Sequence, residues 1–387
     1  MEESEIIGAI ALNAAFGYEP AAARKIIETL GSAEAVYHLP QSELDELLGP
    51  WNKHKAQITP AALDKAGAEY RRLRALGYGF LVQTDPAYPE ALLQCPDPPV
   101  CLYVRSDTPA DELFSGTPLI SIVGTRDISP YGSTWCTGIV EALSQAPCKP
   151  VIVSGLAIGV DITAHMAALG YGLSTIAVSP TGIEEVYPVR HSVAAAKIAA
   201  APGSALITDF PPGTGAQACT FLRRNRIIAG LSQATVLVES KLKGGGTMTA
   251  RLAAGYGRDV FALPGRIDDL RSQGCNLLIQ EKIAESISSL AGFGASLGLG
   301  RFNLRRKADV AKMVGERYRH RDDVTDLALI TDIAGTVRSY PGITVDEISA
   351  RLGRPYPEIS AMTRLLESDG IISMDLLQRC TTIGKIV

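Results

Sequence analysis

Between residues 115 and 285, short apolar runs alternate with amphipathic stretches. The runs are LISIV (119–123), VIVS (151–154), TIAVS (175–179), LIT (206–208), TVLVE (235–239) and VFALP (260–264). Strands that are apolar at successive positions and separated by helical spacing predict a parallel sheet covered on both faces. The fold class is therefore α/β, with a Rossmann-like doubly wound domain over residues 80–290. On either side the pattern changes. Residues 1–75 carry helical spacing broken at Gly31, Pro40 and Gly49, which predicts a small module of the SAM or helix-hairpin-helix kind. It lacks a basic hairpin and is expected to pack or to contact protein. Residues 291–322 lose any apolar period in AGFGASLGLG, and residues 301–321 then carry eight Lys or Arg against two acids, as a basic linker does. Residues 323–387 predict helix, turn, helix and strand, with Gly353 at the turn and Gly370 at a C-cap, resembling a winged helix.

Composition narrows the class of protein. The 387 residues are 46% hydrophobic and 20% charged with net charge -4, as in a soluble globular chain of two or three domains. Apolar runs are interrupted within about ten residues, short of the roughly 20 that a membrane span needs. The acidic start MEESE does not suit a signal peptide. Seven scattered cysteines without a CxxC pair suggest reduced thiols in a cytoplasmic protein and no metal site. Net acidity does not exclude nucleic acid, because local charge decides such binding.

Ligands of open parallel sheets sit at the carboxyl ends of the strands. After the first strand comes VGTRDISPYG. Gly124 permits a tight turn, Thr125 offers a hydroxyl and Arg126 a bidentate fork for phosphate, with a helix expected to start near Pro130 or Tyr131. After the second, Ser154 and Gly155 make another small-residue turn. Asp161 and His165 follow at helical i, i+4 spacing and are read as structural rather than catalytic. After the fifth, ESKLKGGGTMTAR puts Lys241 and Lys243 beside Gly244, Gly245 and Gly246, with Thr247 as a helix cap. This is neither GxGxxG nor a Walker A loop, so no dinucleotide or other cofactor is expected.

The stretch TFLRRNRIIAG (220–230) adds positive charge at a helix start. Ile227, Ile228 and Leu231 form the face toward the sheet. Arg223 and Arg226 point away from it, Arg224 lies one turn above it, and Asn225 sits between them. Cations in a first helical turn oppose the dipole by about 0.3–1 kcal/mol each, and a bound anion reverses that penalty. Phe221 beside these arginines suits single-stranded nucleic acid, the ring stacking on a base while the cations hold phosphates. All four runs are expected to converge on one rim. They contain no nucleophile–base pair and no metal cluster, so catalytic residues are not assigned.

These segments, in this order, resemble the DNA-processing protein DprA (Smf) family. VGTRDISPYG, VIVSGLAIGVDITAH, FPPGTGAQACTFLRRNRIIAGLSQATVLVES, GGGTMTARLAAGYGRDVFALPG and GCNLLIQ carry the resemblance, densely over residues 80–285. It implies a single-stranded-DNA-binding protein, not an enzyme. Such a protein protects incoming DNA and loads RecA recombinase in natural transformation, as a homodimer formed through the Rossmann domain. It also implies that the Gly124–Arg126 turn holds phosphate and that Phe221 stacks a base. Two departures stand out. Thr125 replaces the family's usual Ser, and GAQACT (215–220) holds no Lys or Arg before the ring. The second winged-helix helix, residues 357–369, has Glu358, Glu367 and Asp369 against Arg364, so the module is expected to contact protein or regulate rather than enter a groove. The rival class is a nucleotide-hydrolysing enzyme of the lysine-decarboxylase-like Rossmann kind. Against it, Arg251 stands where an acid should follow the glycine loop.

Overall fold

The structure is a computed structural model that describes residues 2–49, 51–299, 314, 317–319, 326–340, 342–375 and 377–382. The chain divides into two compact units, Met1–Asn303 and Leu304–Val387. The basic run 301–321 lies outside the described residues except for 314 and 317–319.

The first unit opens with helices α1 (Glu3–Phe16), α2 (Pro20–Leu30), α3 (Gln41–Leu48) and α4 (Pro60–Ala75). Gly31 closes α2 in the left-handed region at φ 71°, donating its amide to the Ile27 carbonyl. Then come β1 (Gly79–Val82), α5 (Glu90–Leu93), β2 (Cys101–Arg105), β3 (Leu119–Val123), α6 (Pro130–Ser144), β4 (Val151–Ser154), α7 (Val160–Gly170), β5 (Thr175–Val178), α8 (Ser192–Ala200) and β6 (Ala205–Thr208). The unit continues with α9 (Ala218–Leu231), β7 (Ala234–Leu237), α10 (Gly245–Gly255), β8 (Asp259–Ala262), α11 (Gln273–Gln280), β9 (Glu285–Ser286) and α12 (Leu290–Ser296).

These strands form one sheet in the order β1-β2-β6-β5-β4-β3-β7-β8-β9. From β6 to β9 all neighbours are parallel, while β2 pairs antiparallel with both β1 and β6. Alternate residues of each strand serve the two faces. Ile120, Ile122 and Ile152 pack with Ile139 and Val140 of α6 and Ala164 of α7. Val123, Val151 and Val153 pack with Ile227, Ile228 and Leu231 of α9 and Ala253 of α10. Chain order reverses between β3 and β7, since β3 leads to β4 on one side and β7 to β8 on the other. A crevice opens at the carboxyl end of such a switch point.

The amino-terminal helices join this body. Phe80, Val82, Cys101 and Tyr103 share a core with residues of α1, α2 and α4. Arg72 of α4 holds Glu184 with two hydrogen bonds of 2.6 and 2.7 Å, and Asn13 Nδ2 donates to the Asp209 carbonyl at 2.8 Å.

Two features depart from the sequence pattern. The antiparallel strands β1 and β2 lie outside the strand–helix alternation, so periodicity does not reveal them. Residues 291–296, the start of the stretch read above as loosened chain, are helical within α12. Phe293 packs edge-on against Phe261 at 5.1 Å, and the Ser289 hydroxyl accepts the Gly292 amide at 3.1 Å. Tertiary burial and a cap supply what glycine-rich propensity lacks.

The second unit holds α13 (Leu327–Ser339), β10 (Ile343–Thr344), α14 (Val345–Leu352), α15 (Tyr356–Ser368), β11 (Ile372–Met374) and β12 (Arg379–Thr382). Its strands pair antiparallel in the order β10-β12-β11. Ile330, Ile333, Ile348, Ile359 and Leu366 are buried in its own core. Thr344 and Glu347 form a capping box at the start of α14, and Gly353 closes that helix at φ 63°.

Candidate nucleic-acid interface

The crevice is built from backbone. The Thr125 amide donates to the Glu239 carbonyl at 2.7 Å, and the Thr125 carbonyl accepts the Val160 amide at 3.1 Å. One residue thereby joins the loops that follow β3, β4 and β7. The close approach demands glycine at Gly124 and Gly246, since a Cβ on Gly246 would stand 2.9 Å from the Gly124 Cα. The Glu239 carboxylate, almost fully buried, accepts from the Ser129 amide at 2.9 Å and the Ser129 hydroxyl at 2.5 Å. That hydroxyl in turn caps α6 through the Gly132 amide. The turn is therefore rigid, and Arg126 projects from it exposed. Its neighbour Asp127 is paired with Arg271 at 2.9 Å.

Arg224 reaches the same crevice from α9. Its guanidinium lies on the turn after β4, where a Cβ on Gly155 would come within 1.6 Å of Nη1. Arg224 is 4% exposed. Among the described residues it makes no hydrogen bond and no ion pair, and its buried Nε has no partner. Burial pushes its pKa down to about 10; the Asp161 carboxylate opposes that shift and the Arg126 charge adds to it. Buried polar groups are ordinarily hydrogen-bonded, and an unsatisfied one costs about 1–3 kcal/mol, more when charged. An anion placed between these two mutually repelling guanidinium groups, one of them desolvated and unbonded, would relieve both penalties.

The other arginines are arranged differently. Arg223 Nη2 donates to Asp209 Oδ2 at 2.9 Å. Arg226 bonds the same carboxylate oxygen and the Asp97 carbonyl. Both side chains are largely buried, and Asp209 is fully so. Both leave α9 on the side away from the sheet-facing Ile227, Ile228 and Leu231, but that side is itself buried within the fold. The outer side of α9 is covered by residues 88–97, by the end of β6 and by the α1–α2 corner, where Tyr18 stacks on Arg223 at 4.4 Å. Asn225 is buried.

Phe221 stands on the first turn of α9, half-buried, with the Arg126 guanidinium 4.8 Å from its ring centre. Tyr187, from the loop after β5, meets the same ring edge-to-face at 5.4 Å and 71°. The sequence reading passed over Tyr187. The signal was available as a Tyr-Pro in GIEEVYPVRH, at the carboxyl end of a third parallel strand.

In the glycine loop, Lys241, Lys243 and Gly245 are exposed. Neither lysine forms an ion pair among the described residues. Thr247 does not cap α10, whose N-cap is Gly244. Its hydroxyl donates to Ser240 Oγ at 2.9 Å and lies 3.0 Å from the Lys241 carbonyl, which folds the loop back on itself. Ser154 is not a ligand-facing hydroxyl either, because it is fully buried and donates to the Ile122 carbonyl at 2.6 Å. Asp161 and His165 are both buried. Burial raises the Asp161 carboxyl, with Arg224 pulling the other way. His165 Nδ1 lies 2.7 Å from Thr175 Oγ1, and burial depresses its pKa to about 3, so the ring is neutral. Among the described residues there is no group of acids, histidines and cysteines that could hold a metal, and no helix long and apolar enough to cross a membrane.

Comparison with known proteins agrees with this architecture. Residues 79–295 match the family model described as DNA recombination-mediator protein A. The chain is 34% identical over 294 residues to Protein Smf of Escherichia coli, covering 72% of this chain and 70% of that one. It is 39% identical over 219 residues to Protein Smf of Synechocystis sp., covering 57% of this chain and 54% of that one, so it spans about half that relative's length. The X-ray structure of DNA processing protein A (DprA) from Streptococcus pneumoniae superposes with a TM-score of 0.61 at 30% identity, covering 74% of this chain and 95% of that one. DNA processing protein A from Helicobacter pylori, described with a unique single-stranded DNA binding mode, gives a TM-score of 0.50 at 31% identity, covering 57% of this chain and 95% of that one. The nine-stranded fold, the built crevice and these matches together establish that the chain belongs to the DNA recombination-mediator protein A family.

Proposed function

We propose that this chain binds single-stranded DNA along the carboxyl-end rim of its sheet, with Arg126 and Arg224 holding phosphate and Phe221 stacking a base. The observation that carries the reading is Arg224, a 4%-exposed guanidinium without a hydrogen bond among the described residues, lying on the glycine turn beside Arg126. Lys241 and Lys243 extend the positive rim, and the backbone of Gly244, Gly245 and Gly246 lies along it. Arg223 and Arg226 act indirectly, by anchoring α9 to Asp209. Family membership supports a role in recombination, in which the protein covers incoming single strands and hands them to RecA as a cytoplasmic homodimer. The unit from residue 304 is read as a winged-helix-like module for protein contact or regulation, because acids outnumber bases on α15. Asp161 accepts the Ala157 amide at 3.3 Å and His165 is held on Thr175, which favours binding over hydrolysis.

Backbone clamps and one stacking ring carry little base information, so the expected preference is for single over double strands with little sequence choice. Competition between a labelled oligonucleotide and its duplex tests this, and equal affinity for the two contradicts it.

A further inference from the structure

We propose that Tyr187 is a second base-contacting ring of the interface, forming with Phe221 a two-ring platform. The inference rests on the single-strand reading above and extends it to a residue outside the arginine block.

The β5–α8 loop, residues 179–191, is pinned from several sides. Gly182 donates its amide to the Thr214 carbonyl at 2.9 Å, which ties the loop to the segment leading into α9. The Thr181 hydroxyl donates to the Glu185 carbonyl at 2.7 Å. His191 Nδ1 lies 2.8 Å from the Leu156 carbonyl, next to the Gly155 turn on which Arg224 rests. Within this loop Pro180, Thr181, Gly182 and Ile183 are buried, yet Tyr187 remains 39% exposed. Its hydroxyl has no partner among the described residues. A rigid loop therefore presents an aromatic ring to solvent that the core does not need.

The position of that ring has a chemical consequence. Phe221 carries Arg126 at 4.8 Å and Tyr187 at 5.4 Å. A phosphate on Arg126 draws the guanidinium off the ring and leaves room for a base, with Tyr187 as its side wall. Base–aromatic contacts of this kind tolerate any base. The loop also carries exposed Arg190 and Glu185, neither paired among the described residues, while Glu184 is held by Arg72. Opposite charges cancel, so a contact through Tyr187 should add affinity without adding salt dependence.

The test uses the full chain and a short oligo-deoxythymidine at several salt concentrations. Tyr187→Ala is expected to bind about tenfold more weakly with an unchanged salt slope, and Tyr187→Phe to stay within about twofold of the parent. Photocrosslinking of the parent chain to a strand carrying 5-iodouracil is expected to label Tyr187. Parent-like binding by folded Tyr187→Ala, equal losses in Tyr187→Phe and Tyr187→Ala, or crosslinks that omit Tyr187 would each overturn the proposal. Arg224→Gln is measured alongside. If it binds as tightly as the parent, the single-strand reading itself has failed. If it binds weakly while Tyr187→Ala does not, only the second ring has failed.

Discussion

Arg224 and Arg226 sit two residues apart on α9, and both are more than nine-tenths buried. Two residues turn a helix by about 200°, so the two side chains leave on opposite sides. Arg226 meets Asp209 and the Asp97 carbonyl and is consumed within the fold. Arg224 meets the Gly155 turn and has no hydrogen bond of its own among the described residues. A block of positive charge in a sequence therefore mixes two uses. One part is neutralised by an internal carboxylate, and the other, in the proposed function, is left for a phosphate.

That contrast makes its largest prediction through Asp209. Asp209→Asn leaves Arg223 and Arg226 buried without a counter-charge. Breaking a buried pair in this way costs about 3–5 kcal/mol. The unfolding free energy of the first unit, from urea titration, should fall by about that amount and its midpoint should drop, while single-strand affinity of the folded variant falls far less. A variant as stable as the parent would show that these ion pairs contribute little.

On the other side of the helix, Phe221→Ala should weaken single-strand binding by about 1–3 kcal/mol with little change in salt slope. Arg126→Ala should weaken binding and also lower the slope by about 0.7. Because Arg126 lies over the Phe221 ring, the double variant should lose less than the sum, as groups in contact do. Strict additivity in a double-mutant cycle would mean that the two serve separate nucleotides.

A smaller effect concerns acid. His165 is held neutral, with a folded pKa of about 3 against an ordinary 6.5. Between those values the unfolded chain takes up a proton that the folded chain refuses. Stability therefore falls as pH drops, by up to about 1.4 kcal/mol per unit. Asp161 works in the opposite sense just above its ordinary 3.8, since burial raises its carboxyl. His165→Asn should flatten the acid slope between about pH 6 and about pH 4.5 in urea titrations. An unchanged slope would place the acid sensitivity elsewhere.

Much of the fold was legible because a parallel sheet is buried on both faces. LISIV, VIVS and TIAVS read as strands from their apolar runs alone, and the residues after them lie on the rim that a parallel sheet dictates. Periodicity could not reveal β1 and β2, short strands added antiparallel at one end of the sheet. Nor could it reveal α12, which owes its form to Phe293 against Phe261. Of the candidate site, the sequence showed which residues lie near the rim but not what each one touches. Arg126, Phe221 and Arg224 meet at one place, whereas Ser154 and Thr247 face inward and Arg223 and Arg226 bind Asp209. Asp209 lies 14 residues before Arg223 and 17 before Arg226, and no local pattern links a carboxylate at that distance to the arginines it neutralises. Tyr187 was hidden by the same cause, since its partner ring is distant in sequence.

The central claim is that Arg224 is kept for a phosphate while Arg226 is kept for the fold. Arg224→Gln and Arg226→Gln test it as a pair, each measured for single-strand affinity at several salt concentrations and for melting temperature. The account predicts that Arg224→Gln loses at least about tenfold in affinity, lowers the salt slope by about 0.7 and melts close to the parent, while Arg226→Gln melts well below it. An Arg224→Gln variant that melts far below the parent yet binds the single strand unchanged would make Arg224 a structural partner of Asp161 and contradict the account.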